Sequence, residues 1–431
     1  MVPFRRDDST FEQPASTVSV TSAARRSFIK TIAAGVAVGS VGSLFPSIVR
    51  AQRVETIKIG FVVPLTGPYA SEAQAEVKGG ELAIKEFNDA GGLKGRKAEL
   101  LVRDDKLNPG EAATRTLELI ENDKVSYIVG SLSASVQLSI NNVTKQRGVV
   151  FVSISQSDSI NEASDFGKFT FHEALNPHMT GGAVARYVLP KYGKRVVFLT
   201  ADYAFGHEMV RGMQVAGKAF GIETLADIRH PIGASDYSTY FPRIQAAKPD
   251  LLIVANFGRD QLNAFKQATD FGIKKQMRIV TPLISTSARA SAGHEAFKDI
   301  IGGASYYWAL EDSEPSAKAF NARYQALHKS LPTDYSGYAY SGVRQVLAAM
   351  NSAGDTATDK VVDALRSLKY DYYKGPQFYR ACDHQSVQSV LIVESKPKSE
   401  AKNDADTLKI LAAEKFDESK LRSCAELGHK A

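Results

Sequence analysis

The chain has 431 residues, 44% of them hydrophobic, 23% charged and 9% aromatic. This is the balance of a globular protein with room for two or three domains at about 100–200 residues each. Its 32 Gly and 16 Pro follow no period, which excludes collagen and bulk disorder. The formal net charge of +6 raises nucleic acid or an anionic membrane as partners. Half of that charge sits at one end, because residues 1–51 hold six basic residues and three acids, and +6 less +3 leaves +3 for residues 52–431.

Residues 1–51 are expected to be a cleaved export signal. Arg25-Arg26-Ser27-Phe28-Ile29-Lys30 precedes a mildly apolar, Gly- and Ala-rich run from Thr31 to Val41, and Val49-Arg50-Ala51 gives a small-residue cleavage site. The run is too short for a membrane span of about 20 residues. The twin arginines resemble a twin-arginine export signal, and no Cys follows the cleavage site to carry a lipid anchor. The mature chain is therefore expected to be periplasmic and soluble.

From residue 56 strands and helices alternate. Ile57 to Val63 is a β-rich run stopped by Pro64, and Val77, Gly80, Ile84 and Phe87 form a helical stripe ended by Gly91-Gly92. Ala98 to Val102 is the next strand. Pro109 opens a helix with Ala113, Leu117 and Ile120 on one face, and strand Val125 to Val129 leads through the turn Gly130 to Ser135 into a third helix. Val149 to Ile154 is another buried strand. The rhythm restarts at Arg195 to Thr200, followed by helix Gly206 to Phe220, strands Leu251 to Ala255 and Arg278 to Val280, and a helix from Asp260 to Phe271 between them. Helical faces recur at Phe320, Tyr324 and Leu327, then at Val343, Val346, Leu347 and Met350. Lys374 to Glu394 reads as a two-stranded hairpin, and Leu408 to Leu411 suits strand or helix equally. The fold class expected is α/β, two doubly wound Rossmann-like lobes of parallel strands with crossover helices.

Enzyme signatures fail on inspection. Gly212 to Ala219 nearly matches a phosphate loop, but it falls within a helix and Ala219 lacks the magnesium-binding hydroxyl. Ser395-Lys396-Pro397-Lys398 has an acylating serine–lysine spacing with no helix to orient it. His172-Glu173 and His207-Glu208 have no second His four residues on, and Asp104-Asp105 suits a solvated turn. No metal, cofactor or nucleic-acid site is expected. The two cysteines, Cys382 and Cys424, are expected to pair as a disulfide in an oxidising compartment; two unpaired thiols are the alternative.

Ligands of doubly wound sheets lie outside the carboxyl ends of the strands. Two turns there are rich in hydroxyls. Gly130-Ser131-Leu132-Ser133-Ala134-Ser135 runs into a helix start, and Ser153-Ile154-Ser155-Gln156-Ser157 follows the next strand. Such turns suit an uncharged anion site or plain helix caps. Tyr69, Tyr203, Phe205 and Phe257 occupy corresponding turns and suit the body of a small organic ligand.

Five segments then carry a resemblance: Ile59 to Ala70 (IGFVVPLTGPYA), Asn88 to Gly95 (NDAGGLKG), Arg103-Asp104-Asp105, Asp202 to Gly206 (DYAFG) and Lys248-Pro249-Asp250. In this order, over roughly residues 54–394, they resemble the type I periplasmic solute-binding proteins of ABC importers, in the leucine/isoleucine/valine-binding group. Gly375-Pro376 and Asp383-His384-Gln385 add to the likeness. It implies two lobes joined by a three-stranded hinge, with residues 54–173 and 303–370 forming one lobe, 174–302 and 371–394 the other, and 395–431 an extension tied back by the disulfide. It also implies a monomer that docks on membrane permease subunits. By this resemblance the Ser that holds a ligand carboxylate falls at Ala134, flanked by Ser133 and Ser135. A second hydroxyl falls at Ser157, with Ser155 and Gln156 beside it, and the cleft tyrosine at Tyr203. The acid that pairs with a ligand ammonium falls at Leu283, which favours an aromatic or aliphatic carboxylate without an ammonium. Amide and urea ligands, and a ligand-sensing regulatory protein on the same fold, remain as alternatives.

Overall fold

The computed structural model describes residues 55–430; the expected export signal lies outside them. The first sheet has the order β2-β1-β3-β4-β5, with β1 at Ile57–Val63, β2 at Ala98–Asp104, β3 at Tyr127–Gly130, β4 at Val150–Ser153 and β5 at Thr170–His172. Every pairing in it is parallel. Strands covered on both faces need apolar residues in succession, not alternation, and six of the seven β1 residues are buried. The crossover helices are α1 (Ala70–Asp89), α2 (Pro109–Glu121) and α3 (Ala134–Arg147). Asn108 caps α2 by accepting the Glu111 N–H at 3.0 Å, with Pro109 at the first helical position.

The second sheet is built from α4 (Pro177–Tyr192), β6 (Arg195–Ala201), α5 (Ala204–Gly217), β7 (Glu223–His230), α6 (Phe241–Ala247), β8 (Leu251–Ala255), α7 (Gly258–Asp270), β9 (Arg278–Thr281), α8 (Thr286–Ser291), α9 (His294–Phe297) and β10 (Ile301–Ala304). The chain then returns to the first sheet with α10 (Pro315–His328), α11 (Asp334–Ala353) and α12 (Thr358–Ser367). The small strands β11 (Lys369–Tyr370), β12 (Gln377–Tyr379) and β13 (Ser386–Val387) form a three-stranded antiparallel sheet. Finally β14 (Ser389–Ser395) and β15 (Leu408–Lys415) add two antiparallel strands, giving the order β15-β14-β10-β9-β8-β6-β7. The ambiguous run at Leu408 is thus a strand, the outermost of its sheet.

The expected hairpin is more broken than its pattern suggests. β13 pairs with β12 and β14 joins the second sheet; the two strands part at Gln388. The Gln388 side chain donates to the Glu173 carbonyl at 2.5 Å and accepts from Lys374 at 2.7 Å. This is the hinge, where the chain passes between the sheets near residues 173–176, 305–314 and 388; residues 371–387, expected with the second lobe, pack instead on the first, where Gln385 pairs with His172 and His384 bonds the Thr170 carbonyl. Its buried centre is the Glu173 carboxylate, which accepts from Tyr370 at 2.5 Å and Gln345 at 2.8 Å. Burial pushes the Lys374 ammonium down to about 7, against the pull of Glu173 and Asp334. Cys382 and Cys424 are bonded as expected. They close a separation of 42 residues, worth roughly 4 kcal/mol in the chain-entropy account.

Candidate ligand-binding cleft

The carboxyl ends of the two sheets' parallel strands face each other, and the turns that follow them line a cleft. Tyr69 precedes α1, Tyr203 precedes α5 and Phe257 precedes α7, each at the N-cap position without a side-chain cap hydrogen bond. Ser, Thr, Asp or Asn would stabilise each helix there by about 1 kcal/mol. Aromatic rings in those three positions instead fill the space between the lobes.

The rings meet. The Tyr69 and Tyr203 hydroxyls lie 3.0 Å apart across the cleft. The Tyr69 ring packs edge-on against Phe257 at 5.8 Å between centroids, Phe205 stacks on Tyr203 at 5.8 Å, and Phe205 lies 6.2 Å from Phe257. Tyr335, from the first turn of α11, joins at 5.5 Å from Phe257. Gly258 has φ +57°, and a Cβ there would stand 2.8 Å from the Tyr69 ring, so only glycine permits this approach. Burial, then Tyr203, raises the Tyr69 phenol well above its ordinary value; both hydroxyls stay neutral donors and acceptors.

The two serine turns are placed differently. Ser133 is the N-cap of α3 and makes no side-chain cap bond, Ala134 and Ser135 open the helix, and the Ser131 hydroxyl is buried without a partner. The Gln156 side chain accepts from Thr180 at 3.1 Å, leaving its Nε2 buried and unpartnered. Ser155 donates to the Leu132 carbonyl at 2.7 Å, tying one turn to the other. Ser157 does not face open space, because Glu208 of α5 reaches across the cleft to it. Glu208 accepts from the Asp158 N–H at 2.9 Å, from the Ser159 hydroxyl at 2.6 Å and from Ser157 at 3.4 Å.

Leu283 is buried, and its carbonyl accepts from Gln261 and Thr281, each at 2.9 Å. Two residues further on, the other lobe supplies acids. Ser285 donates to Glu72 at 2.8 Å and Thr286 to Asp334 at 2.7 Å, both across the cleft. The second Asp334 oxygen is buried and unpartnered. Burial first, and Glu72 among the charges, raise the Asp334 carboxyl to about 7.

Residues 56–403 match the family described as periplasmic binding protein. The chain belongs to that family. It is 22% identical over 327 residues to the Leu/Ile/Val-binding protein of Escherichia coli strain K12, covering 75% of this chain and 86% of the relative. A periplasmic binding protein of Burkholderia mallei is 28% identical with a TM-score of 0.80, over 86% of this chain and 97% of that one. A solute-binding protein of an ABC transporter from Rhodopseudomonas palustris BisB5, in complex with 3,4-dihydroxybenzoic acid, shares the fold at 23% identity and TM-score 0.75, over 84% and 97% of the two chains.

As a periplasmic binding protein the chain is a solute-binding component of an ABC transporter, a receptor and not an enzyme. No helix among the described residues is long and apolar enough to cross a membrane. The cleft brings together the neutral donors of the serine turns, the aromatic rings, and the carboxylates of Glu72 and Asp334 from the first lobe and Glu208 from the second. Sequence reasoning named all four aromatic turn residues that meet here, and missed Tyr335, Glu72, Asp334 and Glu208. Asp334 and Tyr335 stand directly after Thr333, whose capping box with Ser336 starts α11, so a helix-start signal at a lobe-facing end could have found them.

Proposed function

We propose that the chain is exported to the periplasm and there delivers a small, carboxylate-bearing, amino-acid-like solute to the permease subunits of an ABC importer. The observation that carries the ligand class is that, of the buried side-chain donors without partners among the described residues, two, Ser131 Oγ and Gln156 Nε2, belong to the serine-rich turns of the cleft. They lie in the turns at and beside the α3 N-terminus, where free N–H groups favour an anion. The rings of Tyr69, Tyr203, Phe205, Phe257 and Tyr335 enclose an apolar or aromatic body. Leu283 by itself argues for an acid without an ammonium. Glu72 and Asp334 support the opposite choice, since they bring negative charge to the turn just past it, and a ligand ammonium there would have partners.

Thermal unfolding with leucine, phenylalanine, benzoate, 3,4-dihydroxybenzoate, acetamide and urea tests this. A ligand that binds only the folded chain stabilises it by about 2.7 kcal/mol at a hundredfold excess over Kd. The amino acids are expected to raise Tm and the amides to leave it unchanged. A rise with benzoate and none with either amino acid would overturn the ammonium, and a rise with amides alone would overturn the carboxylate.

A further inference from the structure

We propose that the C-terminal extension is a strap between the two lobes, fastened by the Cys382–Cys424 disulfide, whose length limits how far the cleft opens. This goes beyond the ligand reading and does not depend on it. One end of the extension is built into the second lobe. β15 pairs along its whole length with β14, Glu414 bonds Arg186 of α4 at 2.8 Å, and the Arg186 guanidinium lies over the Phe416 ring.

The other end is built into the first lobe. Arg422 bonds Glu162 at 2.8 Å, and its carbonyl accepts from Arg380 at 2.7 Å. The Ala163 N–H donates to the Leu427 carbonyl at 2.8 Å, and His429 meets the Asn161 carbonyl at 2.7 Å and the Phe166 ring edge-on. Asn161 to Phe166 belong to the connection from β4 to β5, and Cys382 to the loop between β12 and β13. The chain therefore crosses between lobes once more after the three hinge passages, over residues 416–421. Six residues reach at most about 20 Å when extended. Part of that length is coiled in a short 3-10 turn at Glu418–Lys420, so the strap has some slack but a fixed limit.

The disulfide makes the lobe-one anchor covalent. Without it the tail holds by one ion pair, a few backbone bonds and a ring contact, which open locally at little cost. In the ligand-free full-length mature chain, X-ray scattering and amide hydrogen exchange would be compared before and after reduction, and in a C382S/C424S variant. Exchange at Ala163 is expected to quicken by about tenfold or more, and the radius of gyration to rise by about 1 Å on about 21 Å, with far-UV circular dichroism unchanged. A second variant carries four Gly/Ser residues inserted between Asp417 and Glu418, with the disulfide intact; it should expand without losing protection at Ala163. Faster exchange with no expansion would make the tail a local brace and overturn the proposal. So would an inserted variant of unchanged radius.

Discussion

The two hydroxyl-rich turns of the first lobe look alike as sequence and behave differently as structure. Gly130 to Ser135 keeps its donors free, with Ser131 buried and unpartnered and Ser133 making no cap bond. In Ser153 to Ser157 every serine hydroxyl is engaged, and only the Gln156 Nε2 stays free: Ser153 bonds Gln137, Ser155 bonds Leu132, and Ser157 meets Glu208 and the Ser159 N–H. A carboxylate does sit on the second turn, but it belongs to the protein. The first turn is thus open to a ligand head, while the second is a seat on which the other lobe closes. Serines after a strand announce anion-binding capacity, and only the opposite lobe decides whose anion fills it.

The largest effect should come from breaking the first turn's backbone. Gly130 has φ +152°, and a Cβ there would lie 2.4 Å from the Val62 carbonyl. Gly130→Ala is expected to cost roughly 2–4 kcal/mol in urea unfolding, since both strain and overpacking act. A cost below 1 kcal/mol would mean that the turn adapts easily and is not a rigid platform.

Side-chain truncation should then separate the turns. Ser155→Ala leaves the buried Leu132 carbonyl without its donor and is expected to lose about 1–3 kcal/mol of stability. Ser131→Ala removes a hydroxyl that has no partner, so stability should stay within about 0.5 kcal/mol while the thermal shift with the bound amino acid shrinks. The reverse outcome, a stable Ser155→Ala and an unstable Ser131→Ala, would exchange the roles given to the two turns.

How much of this was legible beforehand follows from what each residue answers to. Strands β1, β3, β4, β6 and β8 are apolar on both faces because helices cover both, and a run of Val and Ile reports that locally. β7 is an edge strand with most of its residues partly or fully exposed, and β10 carries Gly302-Gly303 against Pro282 and Thr281; neither has a local pattern to read. The aromatic turn residues stood out because they recur in corresponding turns after the strands. Glu72, Asp334 and Glu208 did not, because an acid near a helix start is ordinary, and only the folded chain shows that each reaches the other lobe.

The smallest expected effect concerns the seat of Glu208 and is read through pH. Burial, and next the neighbouring Asp158 carboxylate, raise Glu208 to about 7, against the bonds from Ser159 and the Asp158 N–H and the charge of Arg211. In an open cleft water would reach it and return it toward about 4.3. The closed form then binds the extra proton between those values, so closure is favoured as pH falls through 7 and loses that support as pH rises. His178 is held neutral by burial, and the Asp158 carboxylate repels the Glu208 charge rather than pairing with it, so neither reverses the sign. The ligand-free radius of gyration should shrink modestly from pH 8 to pH 5. Glu208→Gln should flatten most of that slope near its compact end, the remainder coming from Asp334, which titrates near 7 on the same cleft. A full slope in Glu208→Gln would remove Glu208 from closure and leave the second serine turn without a purpose at the lobe interface.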